Sequence, residues 1–233
     1  MKKALALLLL SSLSASVWGA TDPVKVLKKV DEIRNPTGSY KMVVDIVSTE
    51  SSDLSSFEVS LKGNNKTLIK TLKPARDRGR NLLMLDENMW VYIPTVKRAV
   101  RVSLAQKLTG QTANGDISRM RWSEDYTPKL VSENKTEIVL ELKANKKGLT
   151  YEQLKVWVKK STNDPIKAEF LGVSGKTLKT ASYGEFKKIA GRIRPTKMII
   201  QDAVRKDQES TLVIVSMEEK EMSDGLFNQK NLN

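Results

Sequence analysis

The chain contains no cysteine and no histidine. Without cysteine there is no disulfide, no thiol nucleophile and no thioether-linked lipid anchor, so the chain is not expected to be a lipoprotein itself. Without histidine it lacks the commonest general base and zinc ligand, and a Ser-His-Asp triad is excluded. Aromatic residues are scarce at 6%, with only four Phe, so methionines and aliphatics must line any apolar cavity. No nucleophile elbow and no metal-ligand spacing occurs. Carboxylate-based chemistry of a glycosidase or lipase type stays open in principle, but no constellation marks it. The expectation is a non-enzyme with no cofactor and no metal. Beyond the first twenty residues no run is apolar enough for the ~20-residue span of a membrane helix.

What is present begins with Met1-Lys2-Lys3, an apolar run from Ala4 to Leu10, and small residues up to Ala20. That order is the n-region, h-region and cleavage region of a secretory signal peptide, with Val17 and Gly19 at −3 and −1. Residues 1–19 are therefore expected to be a cleaved signal and 20–233 a single domain exported to the periplasm. The signal holds two of the 40 Lys+Arg and none of the 27 Asp+Glu, which leaves 38 − 27 = +11 on the mature chain. A surplus of this size favours anionic partners such as phospholipid headgroups, lipopolysaccharide or acidic proteins, or else is a solvated basic surface. Export argues against nucleic acid, and the charges form no sustained block.

Asp22-Pro23 followed by VKVLKKVDEIR predicts a capped amphipathic helix over 22–34, with Val24, Leu27, Val30 and Ile33 on one stripe and Val26 beside it. From Ser39 the period changes to two. Alternating segments near 40–47, 57–62, 67–72, 81–85, 89–93, 98–103, 136–143, 151–160, 166–174, 177–183, 194–201 and 210–217 are separated by turn residues. They predict a mainly β (α+β) fold: an antiparallel meander of about eleven or twelve strands forming one curved sheet or an incomplete barrel. Residues 104–129 break the pattern, with short helical candidates near 104–108 and 116–121. A long insertion of this kind reads as a lid or as a plug at one end of the barrel.

One hairpin can be registered by pairing. With Pro94–Lys97 as the turn, Ile93 faces Arg98, Val91 faces Val100 and Met89 faces Val102, while Trp90 faces Arg101 and Tyr92 faces Ala99. Met89, Val91, Val100 and Val102 are then expected to point inward, and Trp90 over Arg101 to form a cation–π pair. A three-residue turn at Asp86-Glu87-Asn88 adds Leu83 and Leu85 to that face. By the same alternation Met42, Val44, Ile46, Phe57, Val59, Leu61, Leu140, Leu142, Val156 and Val158 point inward, either as plain core or as ligand contacts.

Residues 62–103 contain a Lys-Gly turn, a Leu-Ile strand, Pro74 and Gly79 in a basic turn, and W-x-Y-x-P at Trp90–Pro94 with Arg98 and Arg101 after it. GDISRMRWSEDY follows at 115–126, and the chain closes with Phe227 and Leu232 in DGLFNQKNL. In order and spacing these segments resemble the LolA-like superfamily of outer-membrane lipoprotein-sorting proteins, over roughly 22–233. The resemblance implies an incomplete antiparallel β-barrel whose concave apolar face is closed by helices, and a soluble, monomeric periplasmic carrier of acyl chains from a lipoprotein or another lipid. It further implies an inner-membrane transporter as donor and an outer-membrane acceptor. On this reading the residues just named as inward-pointing line the cavity. Val24, Leu27, Leu104, Leu108, Ile117, Met120 and Trp122 form the lid, and Arg76, Arg78 and Arg80 the rim. The alternative is a periplasmic adaptor of an inner-membrane exporter of the RND/MMPL type, or an envelope-assembly factor, with a filled core and no cargo.

Overall fold

The computed structural model describes residues 20–232; the expected signal peptide at 1–19 lies outside them. Among the described residues no helix is long and apolar enough to cross a membrane. The chain opens with α1 (Pro23–Arg34), whose first turn is capped as expected: the Asp22 carboxylate accepts from the Val24 and Lys25 N–H groups at 2.9 and 3.3 Å, and Pro23 occupies the first position.

Six strands follow: β1 (Tyr40–Ser48), β2 (Ser51–Lys62), β3 (Lys66–Lys73), β4 (Leu82–Leu85), β5 (Asn88–Ile93) and β6 (Arg98–Val102). A crossing segment then carries two very short strands, β7 (Lys107–Thr109) and β8 (Thr112–Ala113), and the single-turn helix α2 (Asn114–Ser118). Seven more strands complete the chain: β9 (Tyr126–Glu133), β10 (Glu137–Ala144), β11 (Gln153–Lys159), β12 (Pro165–Leu171), β13 (Thr177–Ile189), β14 (Arg192–Asp202) and β15 (Glu209–Glu219).

Thirteen of these strands form one antiparallel sheet, in the order β6-β5-β4-β3-β2-β1-β15-β14-β13-β12-β11-β10-β9. The first and last strands of the chain pair in the middle, and two arms of hairpins run outward from that seam. The sheet does not close, and its free edges are β6 and β9. Residues 103–125 therefore connect one edge to the other, and this connection is what crosses the concave face.

All twelve strands read from the alternation are present. β9, which overlaps the end of the expected insertion, is an additional strand. Its Pro128 removes one backbone donor, which an edge strand tolerates because one side of its ladder is unpaired. The helical expectation near 104–108 is not met, since β7 occupies Lys107–Thr109; the one near 116–121 is met only by the shorter α2.

The β5–β6 register is the expected one, from Ile93↔Arg98 to Met89↔Val102. Arg101, however, donates to Asn88 Oδ1 rather than stacking on Trp90. The β4–β5 turn has two residues, not three. Asp86 takes φ 54°, Leu85 pairs with Asn88, Met84 with Met89 and Leu82 with Val91. Leu82 and Met84 thus share the face of Met89 and Val91, and Leu83 and Leu85 stand on the other. Leu83 and Leu85 pack in an outer cluster with Leu68, Trp90, Tyr92, Ala99, Met222, Leu226, Phe227 and Leu232. The C-terminal segment is held there by Asp224, which pairs with Lys62 (3.0 Å) and Lys66 (2.8 Å), and by Asn81 donating to the Leu232 carbonyl at 3.1 Å.

Candidate functional site

The inward faces of the two arms form two apolar clusters side by side. In the first arm Met42, Val44, Ile46, Phe57, Val59, Leu61, Met89 and Val91 are buried together, with Val100 and Val102 partly buried at the β6 edge. In the second arm Leu140, Leu142, Val156 and Val158 are buried with Leu154, Ala168, Phe170, Ala181 and Ile200. Each fully covered aliphatic side chain contributes roughly 1.5–3 kcal/mol.

Two elements cover these clusters. Helix α1 lies over the second arm through Val26, Leu27 and Val30. Val24 does not join it. Val24 is 46% exposed, because the buried stripe runs through 26, 27, 30, 31 and 34 and not through 24 and 33. The crossing segment covers the first arm. Leu104 and Ile117 are buried against it, Leu108 and Met120 are partly buried there, and Trp122 turns to the second arm. All five crossing-segment residues expected at the lid therefore meet the concave face.

The crossing segment is fastened by buried polar contacts at three places. At the first, the Asp31 carboxylate on α1 accepts the backbone N–H groups of Trp122 (3.1 Å) and Ser123 (2.7 Å). Arg34 lies 3.5 Å from Asp31, donates to the Met120 carbonyl at 3.2 Å and stacks 3.7 Å from the centroid of the Trp122 ring. Burial raises the Asp31 carboxyl above its ordinary value, against the pull of Arg34 and of the two N–H donors.

At the second, Asp116 accepts from Lys179 Nζ on β13 at 2.7 Å, from the Tyr151 hydroxyl at 2.8 Å and from the nearby Ala113 N–H at 2.8 Å. The neighbouring Gly115 packs against Thr150 so closely that a Cβ would lie 1.7 Å from the threonine Oγ1. At the third, the Arg119 guanidinium grips Asp125 with two nitrogens, one at 2.7 Å, and donates to the Asp86 carbonyl at 2.7 Å. Lys146, from the loop after β10, reaches Asp125 and Glu87 at 3.1 Å each, and Asn64, from the β2–β3 turn, donates to Asp125 at 3.2 Å. Burial pulls the Arg119 guanidinium down, but its bond and charge pairing with Asp125 hold it above the ordinary arginine value. The third contact therefore ties turns of both arms together at one end of the sheet.

The limb from 103 to 109 is anchored at its root, where Leu104 is buried and the Ser103, Leu104 and Gln106 carbonyls accept from the Asn114 side chain (2.9 Å), the Gly115 N–H (2.9 Å) and the Asn114 N–H (3.0 Å); its outer part meets the sheet through side chains alone. Lys107 pairs with Glu50 at 2.8 Å, and Thr109 and Ser55 share a hydroxyl contact at 3.1 Å. Between this limb and β2–β6 lies a pocket of about 100 Å³. Phe57, Leu82, Val91, Val102 and Leu108 supply its apolar wall, and Lys73, Asp77, Arg80 and Lys107 its charged mouth. Of the residues expected in the cavity or at its edge, the pocket brings together Phe57, Val91, Val102, Leu108 and Arg80. The other inward residues are packed core. Arg76 instead pairs with Asp53 at 2.5 Å, and Arg78 donates to the Leu72 carbonyl at 3.0 Å. Leu82, Lys73 and Lys107 were not anticipated. Lys73 lies next to Pro74 in the basic turn, the one local hint that the mouth would be charged.

An open antiparallel sheet, with an apolar concave face spanned by one helix and a polar-fastened crossing segment, defines a half-barrel with a covered concave face. Its solved relatives have the same architecture. The structure of LolA superfamily protein NE2245 from Nitrosomonas europaea is 37% identical, with 90% of this chain and 98% of that chain covered and a TM-score of 0.83. A putative outer membrane lipoprotein-sorting protein domain from Vibrio parahaemolyticus (19% identity, 90% and 97% covered, TM-score 0.75) shares the fold. So does a DUF1329 family protein from Desulfovibrio piger (23%, 91% and 100%, TM-score 0.75). A family model described as "-like: Uncharacterized protein" matches residues 63–233. No curated protein matches the chain. The chain belongs to the LolA superfamily.

Proposed function

We propose that this protein is a periplasmic carrier, not an enzyme, which takes acyl chains of a lipoprotein or lipid from an inner-membrane donor and releases them to an outer-membrane acceptor. The observation that carries this reading is the pocket under the 103–109 limb, where an apolar wall meets a basic mouth at the thinly covered β5–β6 edge of the concave face. Apolar walls accept methylenes at roughly 0.8 kcal/mol each. Lys73 and Arg80 suit an anionic headgroup.

The pocket is small. A water in the liquid takes about 30 Å³, so about 100 Å³ holds a few methylenes and not a whole chain. Loading therefore requires the pocket to widen. The outer part of the limb, 105–109, is the wall proposed to move, while the buried Leu104 keeps its root in place and the three buried fastenings hold 111–125. This narrows the expected lid from the whole insertion to its first limb.

Native mass spectrometry with lipid extraction, on protein purified from the periplasm without detergent, tests the proposal. A bound lipid or acylated protein supports it and identifies the cargo. Protein that is empty, and that also fails to take up a fluorescent fatty acid, points to the adaptor role instead.

A further inference from the structure

The β13–β14 hairpin leaves the sheet at its tip. β14 pairs with β15 only from Lys197↔Val213 to Gln201↔Glu209, whereas the β13–β14 ladder runs on to Ile189↔Arg192. A break in the strand at Glu185, with φ 48° and its carbonyl taken by Thr196 Oγ1 at 2.6 Å, marks where the tip begins. Alternation then divides the tip into two faces. One face is turned inward: Arg194 reaches the Glu32 and Ile33 carbonyls at the end of α1 (2.7 and 3.0 Å), and Ile189 packs on the first-arm cluster.

The other face carries Phe186, Lys188 and Ile193, and Phe186 and Ile193 are 37% and 58% exposed. Residues 184–197 hold five cations (Lys187, Lys188, Arg192, Arg194 and Lys197) and a single carboxylate, Glu185. That carboxylate is already engaged by Lys187 (2.7 Å) and Lys197 (3.4 Å). Lys188, on this face, is exposed, and so is Arg192, which pairs with Ile189 at the end of the hairpin on the Arg194 side.

We infer that this hairpin tip docks the protein on an anionic phospholipid bilayer. Two apolar side chains beside unneutralised cations, on a narrow projecting hairpin, fit the boundary between headgroups and acyl chains. There the rings and aliphatic groups enter the bilayer while the ammonium and guanidinium groups stay among the phosphates. Each cation near such a surface adds favourable attraction, screened by salt. A narrow tip with two apolar side chains offers far less than the ~800 Å² per partner of a specific protein interface, which is why the bilayer is the favoured partner. Docking of this kind needs no cargo, so vesicle binding and acyl uptake can fail independently.

The test is co-sedimentation of the chain lacking residues 1–19 with vesicles of equal parts phosphatidylglycerol and phosphatidylcholine, and with phosphatidylcholine alone. The expected result is binding to the anionic vesicles only, weakening as salt is raised. The variant K188Q/R192Q should bind about tenfold or more weakly, F186S/I193S should bind comparably weakly, and V204S, which alters an exposed valine in another turn, should be unchanged. In a Phe186→Trp variant the tryptophan emission should shift to the blue on anionic vesicles, while that of the parent stays put. Equal binding to both vesicle types, no binding, tip variants that bind as the parent does, or an unshifted emission in the Phe186→Trp variant would each overturn the inference.

Discussion

Single residues in the crossing segment carry more of the structure than their local sequence suggests. Gly115 is required by packing, since its φ is unremarkable but Thr150 occupies the space a Cβ would need. Gly115→Ala is therefore expected to cost about 1–3 kcal/mol, the usual penalty for overpacking. Adding Thr150→Ala should recover only part of that, because the threonine Cβ itself would lie 3.0 Å away. Urea unfolding of the two variants checks this. Arg119 and Asp125 are both buried, and Arg119→Ala leaves a carboxylate with only the half-exposed Lys146 as a cation; a loss of about 3 kcal/mol is expected.

Asp31 makes stability depend on pH. Its native carboxyl holds a proton more tightly than the unfolded chain does, so ionisation costs native stability. The wild type should be most favoured over Asp31→Asn below the ordinary aspartate value. That advantage should shrink as pH rises through the raised native value and then level off. Unfolding of both proteins from about pH 3 to about pH 8 measures it; an advantage that grows with pH would contradict the assignment. None of these contacts was legible in the sequence. Lys179 and Asp116 are 63 positions apart and Asp31 and Ser123 are 92 apart, and no local period links them.

At the scale of elements the sequence was readable wherever one face is wet. Strands β1 and β11 alternate cleanly in burial, and so their inward residues could be named, whereas β5 and β6 were placed by the pairing across their turn. β4 could not be placed because Leu82, Leu83, Met84 and Leu85 are all apolar. Both registers look equally good until the C-terminal segment is seen covering the outer face. The α1 stripe was misplaced by one position for a related reason: the buried face includes Asp31 and Arg34, whose charges hid it. Removing residues 222–232 should therefore uncover Leu83, Trp90 and Tyr92 and raise binding of an apolar dye such as ANS, while β5–β6 pairing persists. No change in dye binding would mean that the outer cluster is not held by that segment.

For the whole molecule, the topology gives the crossing segment its place. A sheet whose first and last strands pair at the centre leaves its two free edges to be joined across the concavity, and residues 103–125 are that join. The family and the half-barrel were legible from motif order. The fact that most of the concave face is packed core, with a small pocket at the β6 edge, was not, because alternation fixes which side chains face inward but not what covers them. On the proposed carrier reading, the fastened 111–125 region and the outer part of the 103–109 limb together predict where an acyl chain would enter.

The most direct measurement is uptake of a fluorescent fatty acid by the wild type and by Val102→Asp, a substitution at a partly buried position in the pocket wall, with the exposed Val131→Asp as control. The carrier account predicts binding by the wild type and by Val131→Asp, and its loss in a Val102→Asp protein whose unfolding transition is retained. Undiminished uptake by Val102→Asp would contradict entry at this pocket, and no uptake by the wild type would contradict the carrier function itself.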